Sequence, residues 1–512
     1  MKEKPNILLI HADQHRYDCL GAYGNTDIKT PNIDQLARDS VVFENSFCPH
    51  PVCTPSRYSL LCGQYIHQHL GLTNSSTLAH GIPTLPRALT SDGYRTAAVG
   101  KMHFTPTYLD VGFDEMHLAE QCGKGRYDDN YHRWLRDEGL CDRLDMIDQV
   151  SEFRERANEE YWENFGAFQS DLDEAHHSTT WIGDRALEQI ESWGSGPNFL
   201  MAGFIKPHHP FDPPAPWSTM YNPEDLTLLP GWTEALIHGD SGKSFFDYST
   251  LTEKSLRRVM ALYYASISQI DFHVGRMIDR LKRKGLYDNT VIVYTSDHGD
   301  YMGYHHRILK GYRMFEPLVR VPLLIKYAAG TVAPGRDERL VNNVDVAPTL
   351  LHAAQITPPE TMSGMNLTQE NDGPDYVFAE KADEYMVRSR TSKLLLNRNP
   401  EKSMFFDLER DPLEMENRIA DDEYQSEIAS LRDRLVNWCL FDSRANNHLN
   451  HDAPLCRAEN VRDGDTGLYE HFKPIMLRNE NQPLEPDTES APDSFPKETR
   501  HGSINGHEHA AL

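Results

Sequence analysis

Five short, continuous aliphatic runs, each leading into polar or charged residues, constrain this chain more than any other feature. They lie at residues 7–10, 96–99, 199–205, 291–295 and 321–325. Stretches of this length without polar alternation read as strands buried on both faces, and helical patterns separate them. The longest helical pattern covers residues 251–284, with Leu256, Val259, Tyr263, Ile267, Ile270, Val274 and Leu281 recurring on one face. Lys282-Arg283-Lys284 followed by Gly285 ends it. A shorter helix is predicted after Asp345, with Pro348 in its first turn and Leu350 and Leu351 facing inward. Strand–helix alternation of this kind builds a mainly parallel sheet with helices on both sides.

In such sheets ligands bind beyond the carboxyl ends of the strands. Asp13 follows the first run, Lys101 the second, His208 the third and Asp297 the fourth. Four chemically useful groups therefore converge on one edge. With 512 residues the chain can bury a large core and carry a smaller second unit. Residues 1–370 read as a catalytic domain. Shorter strand-like pieces at 376–379 and 393–396 and a helix around 424–440 mark a small C-terminal subdomain, 371–450. Residues 451–512 read as a polar tail that Phe472, Ile475, Met476 and Leu477 could anchor in part.

Charge narrows the partners. Against 51 Lys and Arg stand 77 Asp and Glu, a formal net charge of -26. A surface this negative repels nucleic acid and anionic membranes, so an anionic substrate must be drawn by local positive charge. No apolar run is long enough to span a bilayer. The apolar start reads as the first strand and not as a signal peptide, and the eight cysteines (19, 48, 53, 62, 122, 141, 439 and 456) form no CxxC pair. Both features predict a cytoplasmic protein.

The sharpest local signal is Cys53-Thr54-Pro55-Ser56-Arg57. It places a thiol where a helix begins, an end that favours negative charge, with a guanidinium four residues on. Further along come Gly100-Lys101-Met102-His103, Pro207-His208-His209-Pro210-Phe211 and Ser296-Asp297-His298-Gly299. Gly303, His305, Lys310 and Arg320-Val321-Pro322-Leu323-Leu324-Ile325 follow, then Phe406-Asp407-Leu408, Asp411-Pro412 and Glu414.

With these pieces in this order, residues 5–420 resemble the type I, formylglycine-dependent sulfatase family of the alkaline phosphatase superfamily. The resemblance implies an alkaline-phosphatase-like α/β/α sandwich with a large, mainly parallel central sheet and a small C-terminal α+β subdomain. It implies that Cys53 is oxidised to formylglycine by a formylglycine-generating enzyme, and that a sulfate ester, here of a sulfated carbohydrate, is hydrolysed. The implied metal ligands are Asp13, Gln14, Asp297, His298 and the modified Cys53. Oxygen donors suit calcium or magnesium and the imidazole admits manganese or zinc, with Ca2+ favoured by the resemblance. Lys101, Lys310 and Arg57 would stabilise the sulfate oxygens, His208 would protonate the leaving alcohol, and His103 would take the second hydroxyl's proton. His305 is expected to contact substrate.

Two departures stand out. The family usually pairs two aspartates after the first strand, where this chain has Asp13-Gln14, and Cys62 replaces a common threonine before Gly63. The first removes one negative charge from the metal and is similar to the phosphonate monoester hydrolase branch. A phosphonate monoester or phosphodiester hydrolase is therefore the alternative, and a non-catalytic binding protein a third. The loops at 108–131 and 212–248 would set the leaving group. A homo-oligomer, with the tail reaching a neighbouring subunit's pocket, is left open.

Overall fold

Strand β1 (Asn6–Asp13) is buried at all eight positions and occupies the centre of the sheet. Its alternate residues face opposite cores. Leu8, Ile10 and Ala12 pack toward the helices Ser178–Ser192 and Glu253–Arg283. Ile7 and Leu9 pack toward the helices Cys53–Cys62, Leu85–Ser91 and Val346–Ala353. Each such fully buried aliphatic side chain contributes on the order of 2 kcal/mol, which makes β1 the seam between two apolar layers. The computed structural model describes residues 4–121, 129–239 and 245–443.

The other strands of this sheet are β2 (Val41–Phe47), β3 (Arg95–Gly100), β4 (Glu115–Leu118), β5 (Asn198–Pro207), β6 (Thr290–Ser296), β7 (Leu323–Lys326) and β8 (Gly335–Asn342). Their spatial order is β4-β3-β5-β1-β6-β7-β2-β8. Among these strands β7 alone runs antiparallel to its neighbours, β6 and β2. A second, antiparallel sheet is ordered β12-β11-β10-β9, built from Val377–Lys381 (β9), Glu384–Arg388 (β10), Ser392–Asn397 (β11) and Met404–Asp407 (β12). Val377, Ala379, Met386, Leu395 and Phe406 face Phe47, Tyr304 and Phe315 of the main body. Phe378, Val387, Leu394 and Phe405 face Ile428, Leu431 and Leu435 of the helix Gln425–Asn437. Alternation along the strands thus lets one small sheet dock on the large one while its other face carries a helix.

All five aliphatic runs form strands, and the fold is the expected alkaline-phosphatase-like sandwich. The run at 321–325 forms its strand only from Leu323, since Pro322 has no N–H to offer a ladder and the Val321 N–H is taken by the Ser46 carbonyl at 2.9 Å. The long helix begins after Thr252, whose hydroxyl and the Ser255 side chain form a reciprocal cap, and ends before Gly285 at φ 69°. Among the described residues no helix is long and apolar enough to cross a membrane. Residues 451–512, with Phe472, Ile475, Met476 and Leu477, lie outside the described residues.

Candidate active site

Position 53 opens the helix Cys53–Cys62, and Gly63 closes it in the left-handed conformation at φ 62° with its N–H on the Ser59 carbonyl. The helix start is fastened to the sheet edge. Ser56 Oγ donates to the Asp297 carbonyl at 2.7 Å, and Thr54 Oγ1 donates to the His103 carbonyl at 2.7 Å. Every residue of this helix is buried, and its first turn is satisfied from nearby: the Thr54 N–H donates to Asn74 Oδ1 and the Ser56 N–H to the Val52 carbonyl, both at 3.1 Å.

Around that end the strand termini deliver their polar groups. Asp13 ends β1 where its pairing with β5 shifts register, and Gln14 follows at φ 61°, turning the chain into the site. Asp297 and His298 follow β6. One ligand atom each from Asp13, Cys53, Asp297 and His298 lies within 4.8 Å of the others. His298 Nδ1 sits 2.9 Å from the Gly299 carbonyl, which takes the ring proton and leaves the Nε2 lone pair facing the Cys53 sulfur at 3.3 Å. The Gln14 N–H donates to Asp297 Oδ1 at 3.0 Å, and Gln14 Oε1 is a buried oxygen with no hydrogen-bond partner among the described residues. Two carboxylates, an amide oxygen lacking a donor and a prepared imidazole together fit a divalent cation.

Positive charge encloses these acids. Arg57 spans them, with Nε on Asp297 Oδ2 and a terminal nitrogen on Asp13 Oδ2, both at 2.9 Å, while Lys101 Nζ reaches Asp13 Oδ2 at 2.8 Å. Burial opposes ionisation of Asp13, but Lys101 and its neighbouring cations outweigh it and hold the carboxyl well below its ordinary range. Asp297 behaves likewise at about 2, with burial and Asp13 working against Arg57. Lys310 Nζ donates to the Cys53 sulfur at 3.1 Å and lies 3.2 Å from His208 Nε2. Burial, then Asp13, pushes the Cys53 thiol up to about 11, so an unmodified cysteine is protonated at neutral pH.

His208 and His209 stack at 4.2 Å but divide their work. His209 Nδ1 is committed to Asp148 at 2.6 Å. His208 Nδ1 donates to the His209 carbonyl at 2.6 Å, leaving Nε2 to accept from Lys310. Burial and then Lys101 keep both His208 and His103 neutral.

The structure therefore brings together Asp13, Gln14, Cys53, Arg57, Lys101, His208, Asp297, His298 and Lys310. His103 adjoins them: its φ is 56° and its N–H donates to Glu120 Oε1 at 2.9 Å. Two of the expected residues are engaged within the protein itself. Each Arg57 nitrogen donates once within the protein, the last to the Lys101 carbonyl at 2.6 Å, so three of its five N–H groups brace the two carboxylates and the turn at Lys101. His305 points to the C-terminal subdomain, with Nε2 on the Leu413 carbonyl at 2.8 Å and its ring stacked on Tyr304. Three residues were not foreseen. Glu120 accepts the Met102 and His103 amides, Gln121 accepts from Lys101 Nζ at 3.1 Å, and Asp300 accepts from Gln14.

The strand ends of a doubly covered, mainly parallel sheet thus gather a cation-fitted acid cluster beside the Cys53 sulfur at a helix start. The family model described as Sulfatase matches residues 5–356, and one described as N-sulphoglucosamine sulphohydrolase, C-terminal, matches residues 303–439. An arylsulfatase of Clostridium perfringens is 32% identical over 471 residues, spanning 85% of this chain and 94% of the relative. The chain belongs to the sulfatase family and is a sulfuric ester hydrolase. A phosphonate monoester hydrolase structure from Agrobacterium radiobacter superposes with a TM-score of 0.70 at 23% identity, covering 85% of this chain and 95% of that one. A chain solved in complex with its substrate D-glucosamine-2-N,6-O-disulfate gives 0.66 at 22% identity, covering 85% and 97%.

Proposed function

We propose that this protein hydrolyses the sulfate ester of a sulfated carbohydrate, using a formylglycine made from Cys53 and one divalent cation, calcium first among the candidates. The observation that carries this reading is the meeting of Asp13, Cys53, Asp297 and His298 within 4.8 Å, with the Lys310 ammonium 3.1 Å from the Cys53 sulfur. When bound, the cation supplies Lewis-acid polarisation and offsets the negative charge gathered there. Oxidised by a formylglycine-generating enzyme, position 53 supplies a hydrated aldehyde, with one hydroxyl to attack sulfur and another whose deprotonation expels sulfate. The unmodified thiol, with its pKa pushed to about 11, is a poor substitute.

The remaining groups divide the charge work. Lys101 and Lys310 oppose the negative charge that grows on the sulfuryl oxygens. The leaving alcohol draws its proton from the Lys310–His208 couple, in which Nζ already donates to Nε2. His103, kept neutral, is the base for the second step. A carbohydrate substrate is supported by the D-glucosamine-2-N,6-O-disulfate found in a chain of this fold, and by the description of the C-terminal family match.

One observation favours a second reading. Gln14 stands where a second aspartate would raise the negative charge, and the likeness to a phosphonate monoester hydrolase is of similar strength. A paired assay separates them. Protein with formylglycine confirmed by peptide mass is given para-nitrophenyl sulfate and the phenylphosphonate monoester of para-nitrophenol, with calcium and then manganese. Faster sulfate turnover is expected, and Cys53→Ala should lose activity on the order of a thousandfold while remaining folded. A clear phosphonate preference overturns the leading reading, and appreciable activity in Cys53→Ala overturns the nucleophile.

A further inference from the structure

Asp300 lies three residues beyond Asp297, outside the proposed ligands, and is fully buried. Both of its carboxylate oxygens are used. Oδ1 accepts the Met302 N–H at 2.7 Å and the Leu309 N–H at 3.0 Å, which closes the loop immediately before Lys310. Oδ2 accepts from Gln14 Nε2 at 2.6 Å, across 286 positions of sequence. With three N–H donors directed at its two oxygens, Asp300 meets the glutamine amide through the nitrogen, which turns the amide oxygen away. That oxygen, Gln14 Oε1, is the buried atom with no partner among the described residues. A buried acceptor left unsatisfied is destabilising unless a cation takes it. The Gln14 backbone is pinned to the same centre by its N–H on Asp297 Oδ1.

We infer that Asp300 is a positioning residue with two tasks. It orients the Gln14 amide so that oxygen, not nitrogen, faces the cation, and it sets the loop that delivers Lys310 to position 53. This rests on the metal-centre reading above. It also gives Gln14 a reason: an acid at position 14 would set a second carboxylate against Asp300, whereas an amide meets Asp300 with a donor and the cation with an acceptor.

The inference predicts the opposite of simple charge counting. Gln14→Glu adds an anionic ligand, which by charge alone should tighten binding of a divalent cation. Here the new carboxylate is repelled by Asp300, so binding should weaken. In Asp300→Asn, the Oδ1 atom keeps the Met302 and Leu309 amides and Nδ2 now faces Gln14. The glutamine amide must then reverse and offer its NH2 to the cation. Combining Gln14→Glu with Asp300→Asn restores a donor–acceptor pair and frees one Glu oxygen for the metal.

The test is calorimetric titration of calcium, and separately manganese, into full-length wild type and the three variants after dialysis against chelator. Circular dichroism melting in the absence of metal verifies the fold of each. Both single variants should bind about tenfold or more weakly, and the double variant should recover to within about threefold of wild type. Single variants that bind like wild type overturn the assignment, as does a double variant no tighter than the weaker single one. Should Asp300→Asn fail to fold, Gln14→Glu alone decides: weaker binding supports the assignment and tighter binding overturns it. Wild-type protein that binds neither metal overturns the metal centre itself, and this inference with it.

Discussion

Each nitrogen of the buried Arg57 guanidinium donates inside the protein, to Asp13, Asp297 and the Lys101 carbonyl. A lysine at this position would bring one charge to one carboxylate and could not span both. Arg57→Lys should therefore leave a buried acid poorly paired, costing about 3 kcal/mol of folding stability and most of the turnover. Calcium should restore part of the stability, because it balances the same carboxylates. Urea denaturation with and without calcium measures both effects, and an unchanged midpoint would refute the role given to Arg57. The same contrast explains what could be read from residues alone. Asp13, Lys101, His208 and Asp297 were legible because each follows an aliphatic run, and Cys53 because a local motif marks a helix start. Glu120, Gln121 and Asp300 act through partners 17 to 286 positions away, which no local pattern announces. The direction of the His305 ring was not legible, because it sits in a loop where Met302, Gly303, His305, His306 and Leu309 all have positive φ, and no local pattern sets where such a ring points.

Between elements, the approach of β3 to β5 decides where Lys101 goes. Gly100 ends β3 at φ 87°, and a Cβ there would lie 2.1 Å from the Gly203 carbonyl oxygen on β5. The Lys101 N–H donates to that same oxygen at 2.7 Å. Gly100→Ala must either separate the strands or twist the turn, so a stability loss of about 2–4 kcal/mol is expected. Lys101 should move with the turn, lowering kcat about tenfold or more at temperatures where the variant is folded. Thermal melts and steady-state rates on one preparation check this, and wild-type kcat in a folded variant would break the link between the crossing and the site. Central strands such as β1 and β6 were legible because burial on both faces demands continuous aliphatic sequence. Edge strands were not: β8 reads Gly-Arg-Asp-Glu-Arg-Leu-Val-Asn and is largely open to solvent in its first half. The reversal of β7 was equally hidden, since direction depends on connections and not on composition.

At the scale of the whole molecule, the small sheet and the main body are joined by a clamp whose strength should depend on pH. His67, on the short helix Ile66–His69, faces acceptors at both ring nitrogens. Nδ1 lies 2.6 Å from Glu380 Oε1 on β9, and Nε2 lies 2.6 Å from the carbonyl of Ser443, which follows the helical segment Trp438–Asp442. A neutral imidazole can donate only once, so the geometry is satisfied in full only by imidazolium. Partial burial works against that charge, but the hydrogen bond and the charge of Glu380 outweigh it, and the pKa rises above the ordinary 6.5. A folded-state pKa above the unfolded one stabilises the protein fully below pH 6.5, and the gain is lost as pH climbs through the raised value. The loss should be about 1 kcal/mol, since the ring is partly open to solvent and screened. It should concentrate in the docking of the small sheet, because β9 and Ser443, just after the helical segment Trp438–Asp442, hold the acceptors. Hydrogen exchange of residues 377–388 compared at pH 6 and pH 8.5, after correction for the intrinsic rate, should show faster opening at the higher pH. His67→Gln keeps one donor but no titratable charge, and should exchange equally fast at both. If the wild-type protein opened no faster at pH 8.5, the clamp would be a neutral hydrogen bond, and the pH dependence of the docking would have to come from another pair.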